Sequence, residues 1–157
     1  MQSFPPTLIL RHRRENLKKC SLRGLENRSD LLFFSYPQER LPPLEGYILL
    51  TVDAPPLSID DAKYGSLLLD GTSRYAETMK RNALSHFTGL KRSIPPLFQT
   101  AYPRRQLDCS DPTRGLASVE ALYLSYHLLG RPTQGLLDSY YWKEIFYQRN
   151  HFSKSSP

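Results

Sequence analysis

The stretch Ser66-Leu67-Leu68-Leu69-Asp70-Gly71 decides the fold of this chain. It is a short apolar run that stops at Asp-Gly, and residues 7–10, 31–34 and 46–52 form comparable runs before it. Runs that are apolar on both faces are typical of strands buried in a parallel sheet. The sequence therefore predicts a series of buried strands, each followed by polar or turn-forming residues.

Helical patterns lie between and after these runs. Residues 72–83 place apolar side chains at helical spacing, and residues 58–63 have the pattern of a short capped helix. Two longer helices are predicted, over residues 118–129 with Gly130 as the end signal, and over residues 133–150. Strands that alternate with helices predict an α/β fold with a mostly parallel sheet flanked by helices.

Length and composition indicate one domain. The chain has 157 residues, and we expect a single compact domain over residues 1–152 and a frayed tail over residues 153–157. Its two cysteines, Cys20 and Cys109, lie neither in a CxxC pair nor at zinc spacing, which excludes a disulfide scaffold and a structural zinc module. No apolar run approaches the roughly 20 residues of a membrane span. We therefore expect a cytoplasmic protein with no membrane partner and no metal.

The charge balance points to a polyanionic partner. Lys and Arg number 21 against 15 Asp and Glu, which gives a net charge of +6, and the basic residues are concentrated over residues 11–28 and 91–114. Arginine outnumbers lysine, and its planar guanidinium matches two phosphate oxygens at once. RNA or DNA is the commonest partner of such a surface. The alternative is a solvated basic face that binds nothing.

Common catalytic patterns are missing, and Asp70 is the residue best placed for chemistry. The chain contains no GxGxxG, GxxxxGK[ST], GxSxG or HExxH, and its four histidines have no ligand spacing. Asp70 stands at the end of an apolar strand, directly before Gly71 and a helix. In open α/β sheets, ligands bind at the carboxyl ends of strands. From position alone, a helix N-cap role is the better explanation of this side chain.

Residues 67–79, which read LLLDGTSRYAETM, resemble the L-D-G-T-W-x-x-A-x-x-M signature of the DTW-domain family. That family belongs with the rRNA aminocarboxypropyltransferases, whose matching motif is D-C-S-W. Further segments resemble motifs of those enzymes in the same order. They are K-C-[ST] at residues 19–21, L-P-x-L at residues 94–97, A-N-P at residues 100–103, L-S-x-x-E-A at residues 116–121 and W-G-x-x-F-x-x-x-N at residues 142–150. The resemblance covers most of the chain.

The resemblance implies a SPOUT-like fold with a C-terminal trefoil knot, in which residues 1–90 form an N-terminal α/β part and residues 91–150 the knotted part. It implies S-adenosylmethionine as cofactor. The implied reaction transfers the 3-amino-3-carboxypropyl group to N3 of a uridine or pseudouridine in rRNA or tRNA, with rRNA favoured, and releases 5′-methylthioadenosine. We expect the protein to act as a monomer.

The resemblance also implies roles for individual residues. Asp70 matches the motif aspartate and is assigned to cofactor positioning or proton acceptance. The other implied cofactor-binding residues are Ser21, Ser73, Leu116, Ala117, Ser118 and Glu120. Ordinary helix-entry packing is the alternative for Leu116 and Ala117, and N-terminal capping is the alternative for Glu120.

Ser73 stands where the family has a tryptophan. In the relatives that ring packs near the sulfonium, and its absence removes apolar packing and any cation–π contribution, on the order of 1–2 kcal/mol. Tyr75 and Tyr102 are the aromatic residues considered as replacements. The departure leaves open a protein that has lost its activity.

The basic residues then become candidate RNA contacts, since a modified base must be turned out and held by phosphate contacts and stacking. The candidates are Arg11, Arg13, Arg14, Lys19, Tyr102, Arg104 and Arg105. Two rival functions remain. One is a SPOUT-type RNA methyltransferase, and the other is a non-catalytic RNA-binding or ribosome-assembly protein.

Overall fold

The strands of the computed structural model form one sheet in which every neighbouring pair is parallel. The structure describes residues 4–13, 21–71, 73–101 and 115–152, without the side chain of Ser73. The five strands are β1 (Thr7–His12), β2 (Leu31–Tyr36), β3 (Tyr47–Leu50), β4 (Gly65–Asp70) and β5 (Lys91–Arg92), arranged in the order β2-β1-β4-β3-β5. The predicted α/β architecture and the four apolar strands are confirmed.

In the described part of the chain, three α-helices accompany the sheet: α1 (Ser73–Ala83), α2 (Ser118–Leu128) and α3 (Lys143–Arg149). Of the shorter segments, Ile59–Asp61 forms a 3-10 helix, whose predicted cap is present because the Ser58 hydroxyl accepts from the Asp60 amide. Gly130, the predicted end signal of the helix that starts at Ser118, has φ 72°, in the left-handed region that glycine adopts without strain.

Side chains alternate between the two faces of the sheet and build two hydrophobic layers. Leu8, Leu10, Leu49 and Leu67 face Met79 of α1. The opposite faces of the same strands pack against α2 and α3, in a core that includes Ile9, Ile48, Leu68, Leu122, Tyr126 and Phe146. Since α1 and α2 cover opposite faces, the central strands β1 and β4 are buried on both sides, which explains their continuous apolar runs.

Strand β2 lies at the edge of the sheet and departs from this pattern. Its residues are mostly half-buried or exposed, and the Leu32 side chain is 43% exposed. Strand β5, which was not predicted, lies at the opposite edge, where it pairs with β3 through Leu49 and Leu50. A strand of two residues leaves too short a pattern to be read from sequence.

The long C-terminal helix predicted from Thr133 is wrong in its first half. Residues 134–139 form successive turns, and Gly135 has φ 82°, which a continuous right-handed helix does not contain. Leu136 and Leu137 are both buried, so this segment follows the surface of the core rather than a helical period. Regular helix begins only at α3.

A polar cluster shows how α2 runs relative to the strands. The Tyr126 hydroxyl, near the end of α2, donates to Asp30 Oδ2 at 2.8 Å and lies 3.3 Å from the hydroxyl of Thr7, the first residue of β1. Asp30 precedes β2 and is bound by Arg28 through two hydrogen bonds of 2.9 Å. The end of α2 therefore lies at the amino edge of the sheet, and its beginning points toward the carboxyl edge.

Two structural predictions depend on residues outside the described part of the chain. The predicted knot depends on the path of residues 102–114, and the predicted frayed tail on residues 153–157; both segments lie outside the described residues. The knot and the division at residue 90 stay predictions. Within the described parts of the chain, no helix is both long and apolar enough to span a membrane.

Candidate functional site

Asp70 lies at the carboxyl end of β4, as predicted, and it is 2% exposed. Its Oδ2 accepts a hydrogen bond of 2.9 Å from Nε of Arg11. Arg11 and Asp70 are paired in register on the neighbouring strands β1 and β4. Because both strands end here and both residues point to the α2 side, the sheet itself places a buried carboxylate and a guanidinium at its carboxyl edge.

Arg11, one of the predicted RNA contacts, is largely enclosed by protein groups in this arrangement. Arg11 is 9% exposed, and its Nη1 also donates to Glu26 Oε2 at 3.3 Å. Its guanidinium carbon lies 4.7 Å from the centre of the Phe33 ring. Arg11 therefore orients Asp70 from within the protein, and its contact with RNA stays a prediction.

Glu26 holds the other end of this pair. Its Oε1 accepts from the Gly24 amide at 2.9 Å. Burial alone would raise the pKa of Glu26, but hydrogen bonds from the Glu26 and Gly24 amides and the charge of Arg11 outweigh it, so this pKa is lowered. The segment that contains Glu26 is thereby tied to the ends of β1 and β4.

The beginning of α2 lies at the same edge of the sheet. From Tyr126 back to Ser118 the helix covers about 12 Å at about 1.5 Å per residue. From Thr7 to Arg11 the strand covers about 13 Å at about 3.3 Å per residue. Since Tyr126 and Thr7 are in contact at the amino edge, Ser118 reaches the level of Arg11 and Asp70.

Ser21 caps this helix from a distant part of the chain. Ala117 is the N-cap residue and has no side-chain oxygen to offer, and the Ser21 hydroxyl oxygen accepts from the Val119 amide at 3.0 Å instead. The structure therefore brings Ser21 to the beginning of α2, next to Ala117 and Ser118. Leu116 is half-buried and packs against the core.

Glu120 is completely buried and is bound entirely by protein groups. Its Oε1 accepts from the Thr100 hydroxyl at 2.6 Å and the Ala117 amide at 2.8 Å. Its Oε2 accepts from the Ala101 amide at 2.7 Å and the Tyr140 hydroxyl at 2.9 Å. The N-terminal capping alternative is thus confirmed in part, through the Ala117 amide, and the other three bonds reach beyond the helix.

An aromatic stack borders Asp70 on the α1 side of the sheet. His12, the last residue of β1, stacks on Tyr75 of α1 with ring centres 4.1 Å apart and planes inclined by 8°. Gly71 lies beneath this stack, since a Cβ there would be 3.0 Å from Tyr75 Cβ and 3.6 Å from His12 Cβ. Tyr75, one of the two candidate replacements for the missing tryptophan, is therefore packed on His12.

The other predicted site residues divide into two groups. Arg13 is exposed directly after β1, close to the carboxyl edge. The predicted RNA contacts Arg14, Lys19, Tyr102, Arg104 and Arg105 lie outside the described residues, as does the side chain of Ser73.

Several residues of this edge were missed at the level of sequence. Glu26 and Tyr140 carry no motif of their own, and Thr100 only begins the segment 100–103 that resembles A-N-P. Each of the three acts through a partner that is remote in sequence. Asn150 had a signal, as the last position of the W-G-x-x-F-x-x-x-N resemblance. Its side chain pairs with both backbone groups of Gln99, and Phe146 of the same motif is buried in the core.

Among the described residues, no group of three or more His, Cys, Asp or Glu side chains is arranged to hold a metal ion. A groove of about 440 Å³ lies between residues 44–46 and 82–89. Because Gly46 precedes β3, this groove opens away from Asp70 and contributes nothing to the site.

These features define a class of protein: an α/β fold in which a parallel sheet brings a buried carboxylate and a helix N-terminus to one edge. This edge is the usual ligand position in such sheets. No protein-family model matches the chain, and no curated protein matches it. Among solved structures, the chain is similar to the SAM-dependent rRNA:acp-transferase Tsr3 from Vulcanisaeta distributa, with a TM-score of 0.67. The match has 19% sequence identity and covers 94% of this chain and 79% of that one, and it establishes a shared fold.

Proposed function

We propose that this protein is an S-adenosylmethionine-dependent transferase that moves the 3-amino-3-carboxypropyl group to a uridine or pseudouridine in RNA. One observation carries the proposal: almost the whole chain shares its fold with a SAM-dependent rRNA:acp-transferase. The residues that the motif resemblance assigns to the cofactor, Asp70, Ser21, Ala117 and Ser118, also lie at one edge of that fold. We further propose the SPOUT-like C-terminal knot, rRNA as the favoured substrate, a cytoplasmic location and a monomeric state.

The residues present at this edge suit S-adenosylmethionine. The cofactor carries a sulfonium and an ammonium, both cationic, and the Asp70 carboxylate complements them in charge. It also carries hydroxyl and carboxylate oxygens, which suit the backbone amides at the beginning of a helix and the hydroxyl of Ser21. We assign Asp70 to the cationic part and residues 116–118 with Ser21 to the polar oxygens.

When bound, the cofactor would supply an activated carbon beside its sulfonium. N3 of the base would form a C–N bond with that carbon, the C–S bond would break, and 5′-methylthioadenosine would leave. The protein then needs no nucleophile of its own. Its task is to hold two reactants in line, and positioning of this kind supplies much of the acceleration in such reactions. The N3 proton must also leave, and Asp70 is the proposed acceptor. Arg11 fixes the direction of that carboxylate through its Nε bond.

The exposed basic residues have a role in the same proposal. We propose that Arg13, Arg14, Lys19, Arg104 and Arg105 contact RNA phosphates and that Tyr102 stacks on a base. Arg13 supports this assignment because it is exposed directly after β1, beside the edge that carries Asp70. Phosphate contacts position an RNA without reading its sequence.

The first test is calorimetric titration of the purified protein with S-adenosylmethionine, S-adenosylhomocysteine and 5′-methylthioadenosine. We expect micromolar binding of S-adenosylmethionine, followed by release of 5′-methylthioadenosine when RNA is supplied. Release of S-adenosylhomocysteine would establish a methyltransferase instead. Absence of binding by folded protein would favour the non-catalytic RNA-binding function, for which Ser73 in place of the family tryptophan is the specific observation.

A further inference from the structure

The carboxylate of Glu120 joins two pieces of backbone that are separated along the chain. Its donors Thr100 and Ala101 come before residues 102–114, and its donor Ala117 comes after them. Each oxygen has two donors. Oε1 bridges Thr100 and Ala117, whereas Oε2 bridges Ala101 and Tyr140.

The same backbone is held from a second direction by α3 and the residue after it. Arg149 Nη1 donates to the Thr100 carbonyl at 2.7 Å. The Asn150 side chain accepts from the Gln99 amide at 2.7 Å and donates to the Gln99 carbonyl at 2.9 Å. Residues 99–101 are therefore fixed by side chains of α2, of α3 and of the residue that follows α3.

Capping of α2 does not require this arrangement. A cap at this helix needs one acceptor for the Ala117 amide, and a carboxylate has about four lone-pair positions. All four are used here, in a site with no solvent exposure. Burial of a carboxylate is costly unless donors surround it, and a fully bonded buried network fixes one arrangement of the groups around it.

We propose that Glu120 is a positioning residue that sets the distance between the backbone at Thr100 and Ala101 and the backbone at Leu116 and Ala117. This inference rests on the proposed function, in which residues 116–118 hold the cofactor. Glu120 does not touch the cofactor. It acts through the Ala117 amide on one side and the Ala101 amide on the other.

Two tyrosines of the chain provide a matched test. Both Tyr140 and Tyr126 donate a hydroxyl to a carboxylate, the first to Glu120 and the second to Asp30 at the opposite edge of the sheet. We expect Tyr140→Phe to weaken S-adenosylmethionine binding about fivefold, the factor that corresponds to the removal of one hydrogen bond. Tyr126→Phe is expected to leave the dissociation constant for S-adenosylmethionine unchanged. Both variants are measured at the same interval below their thermal midpoints, so that a general loss of stability affects them equally.

Hydrogen exchange gives a second readout that does not require the cofactor. In Tyr140→Phe, peptides containing Ala101 should exchange faster, because the Tyr140 hydroxyl and the Ala101 amide share Glu120 Oε2. In Thr100→Val, peptides containing Ala117 should exchange faster, because the Thr100 hydroxyl and the Ala117 amide share Glu120 Oε1. Glu120→Gln should affect both peptides, since an amide has a single acceptor oxygen and cannot satisfy four donors.

The outcomes separate the two hypotheses. Faster exchange at Ala101 in Tyr140→Phe but not in Tyr126→Phe supports the positioning role, whether or not the wild-type protein binds the cofactor. Absence of cofactor binding by the wild-type protein would refute only the proposed function. If the two tyrosine variants had equal effects on hydrogen exchange and on affinity, Glu120 would contribute only to general stability, and the inference would be overturned. Unchanged exchange and unchanged affinity in Tyr140→Phe and Thr100→Val would overturn it as well, whether or not Glu120→Gln folds.

Discussion

At the scale of single residues, the pair formed by Asp70 and Arg11 determines how the candidate site can be tested. Both side chains are buried, and the Nε–Oδ2 distance is 2.9 Å. Removal of one member of a buried ion pair leaves the other unpaired and costs about 3–5 kcal/mol. A substitution of Asp70 by alanine therefore changes stability and chemistry together.

Asp70→Asn separates the two effects. Asparagine keeps a carbonyl oxygen for Arg11 Nε, and Glu26 remains beside Arg11, so we expect a smaller loss of stability than in Asp70→Ala. It lacks the charge and the proton-accepting oxygen, so transfer should fall by about 100-fold or more, the usual contribution of a general base. Both quantities are measured on the same preparations, by thermal denaturation and by 5′-methylthioadenosine release.

Glu26→Gln is the control for this experiment. Glu26 holds the other side of Arg11 but is 41% exposed, so its neutral analogue should retain most of the activity. Wild-type turnover in Asp70→Asn would remove Asp70 from the mechanism. A folded Asp70→Ala protein with full activity would lead to the same conclusion.

At the scale of secondary-structure elements, the contacts of Asp30 join the beginning of β2 to the end of α2. Burial alone would raise the pKa of Asp30, but hydrogen bonds from Arg28 and Tyr126 outweigh it and lower this pKa. The same cluster raises the pKa of Arg28 through its bond to Asp30, and burial raises the pKa of Tyr126. These contacts hold the end of α2 at the amino edge of the sheet.

The lowered pKa of Asp30 predicts a pH-dependent contribution to stability. A carboxyl whose pKa is lower in the folded state stabilises the fold above the unfolded-state value of about 3.9, and loses that contribution as the pH falls through the folded value. We expect Asp30→Asn to reduce the free energy of unfolding by about 2 kcal/mol at pH 7, as for hydrogen bonds to a charged group. Urea denaturation should show this difference narrowing as the pH falls below about 4, the unfolded-state pKa of an aspartate, toward the lower folded-state value.

Asp53→Asn serves as the comparison, because Asp53 is exposed. It should change the free energy of unfolding by less than about 0.5 kcal/mol. A difference between wild type and Asp30→Asn that stays constant over the whole pH range would show that the contacts of Asp30 do not depend on its charge.

At the scale of the whole molecule, the net charge of +6 should appear as salt-dependent RNA binding. The double variant Arg104→Ala/Arg105→Ala should weaken RNA binding, and so should the single variant Arg13→Ala. The slope of log affinity against log salt should fall by about 0.7 for each phosphate of a single-stranded RNA that the variant no longer binds. Filter binding of a uridine-rich RNA at several salt concentrations measures both the affinity and the slope.

Lys63→Ala removes an equal charge at the opposite edge of the sheet, since Lys63 is exposed just before β4. It should lower the affinity slightly and leave the slope unchanged. If Lys63→Ala and Arg13→Ala had the same effect, binding would reflect overall charge rather than a surface at the carboxyl edge.

The sequence by itself determined the elements whose signals are local. The apolar runs marked β1 to β4, Asp-Gly marked the end of β4, and Gly130 marked the end of α2, because each depends on side chains within a few residues of one another. The position of Asp70 at a ligand-binding edge followed from the same local pattern.

The tertiary structure alone decided which of these residues meet. Arg11 reads as one basic residue among many, and only the pairing of β1 with β4 shows that it holds Asp70 inside the protein. Glu120 reads as a helix cap until Thr100 and Tyr140 are placed beside it. The helix predicted from Thr133 failed for the same reason: burial of leucines against a core assembled from distant segments outweighed the local helical period. A hydrogen bond between residues far apart in sequence depends on strand register and layer packing, and neither leaves a periodic signal in the chain.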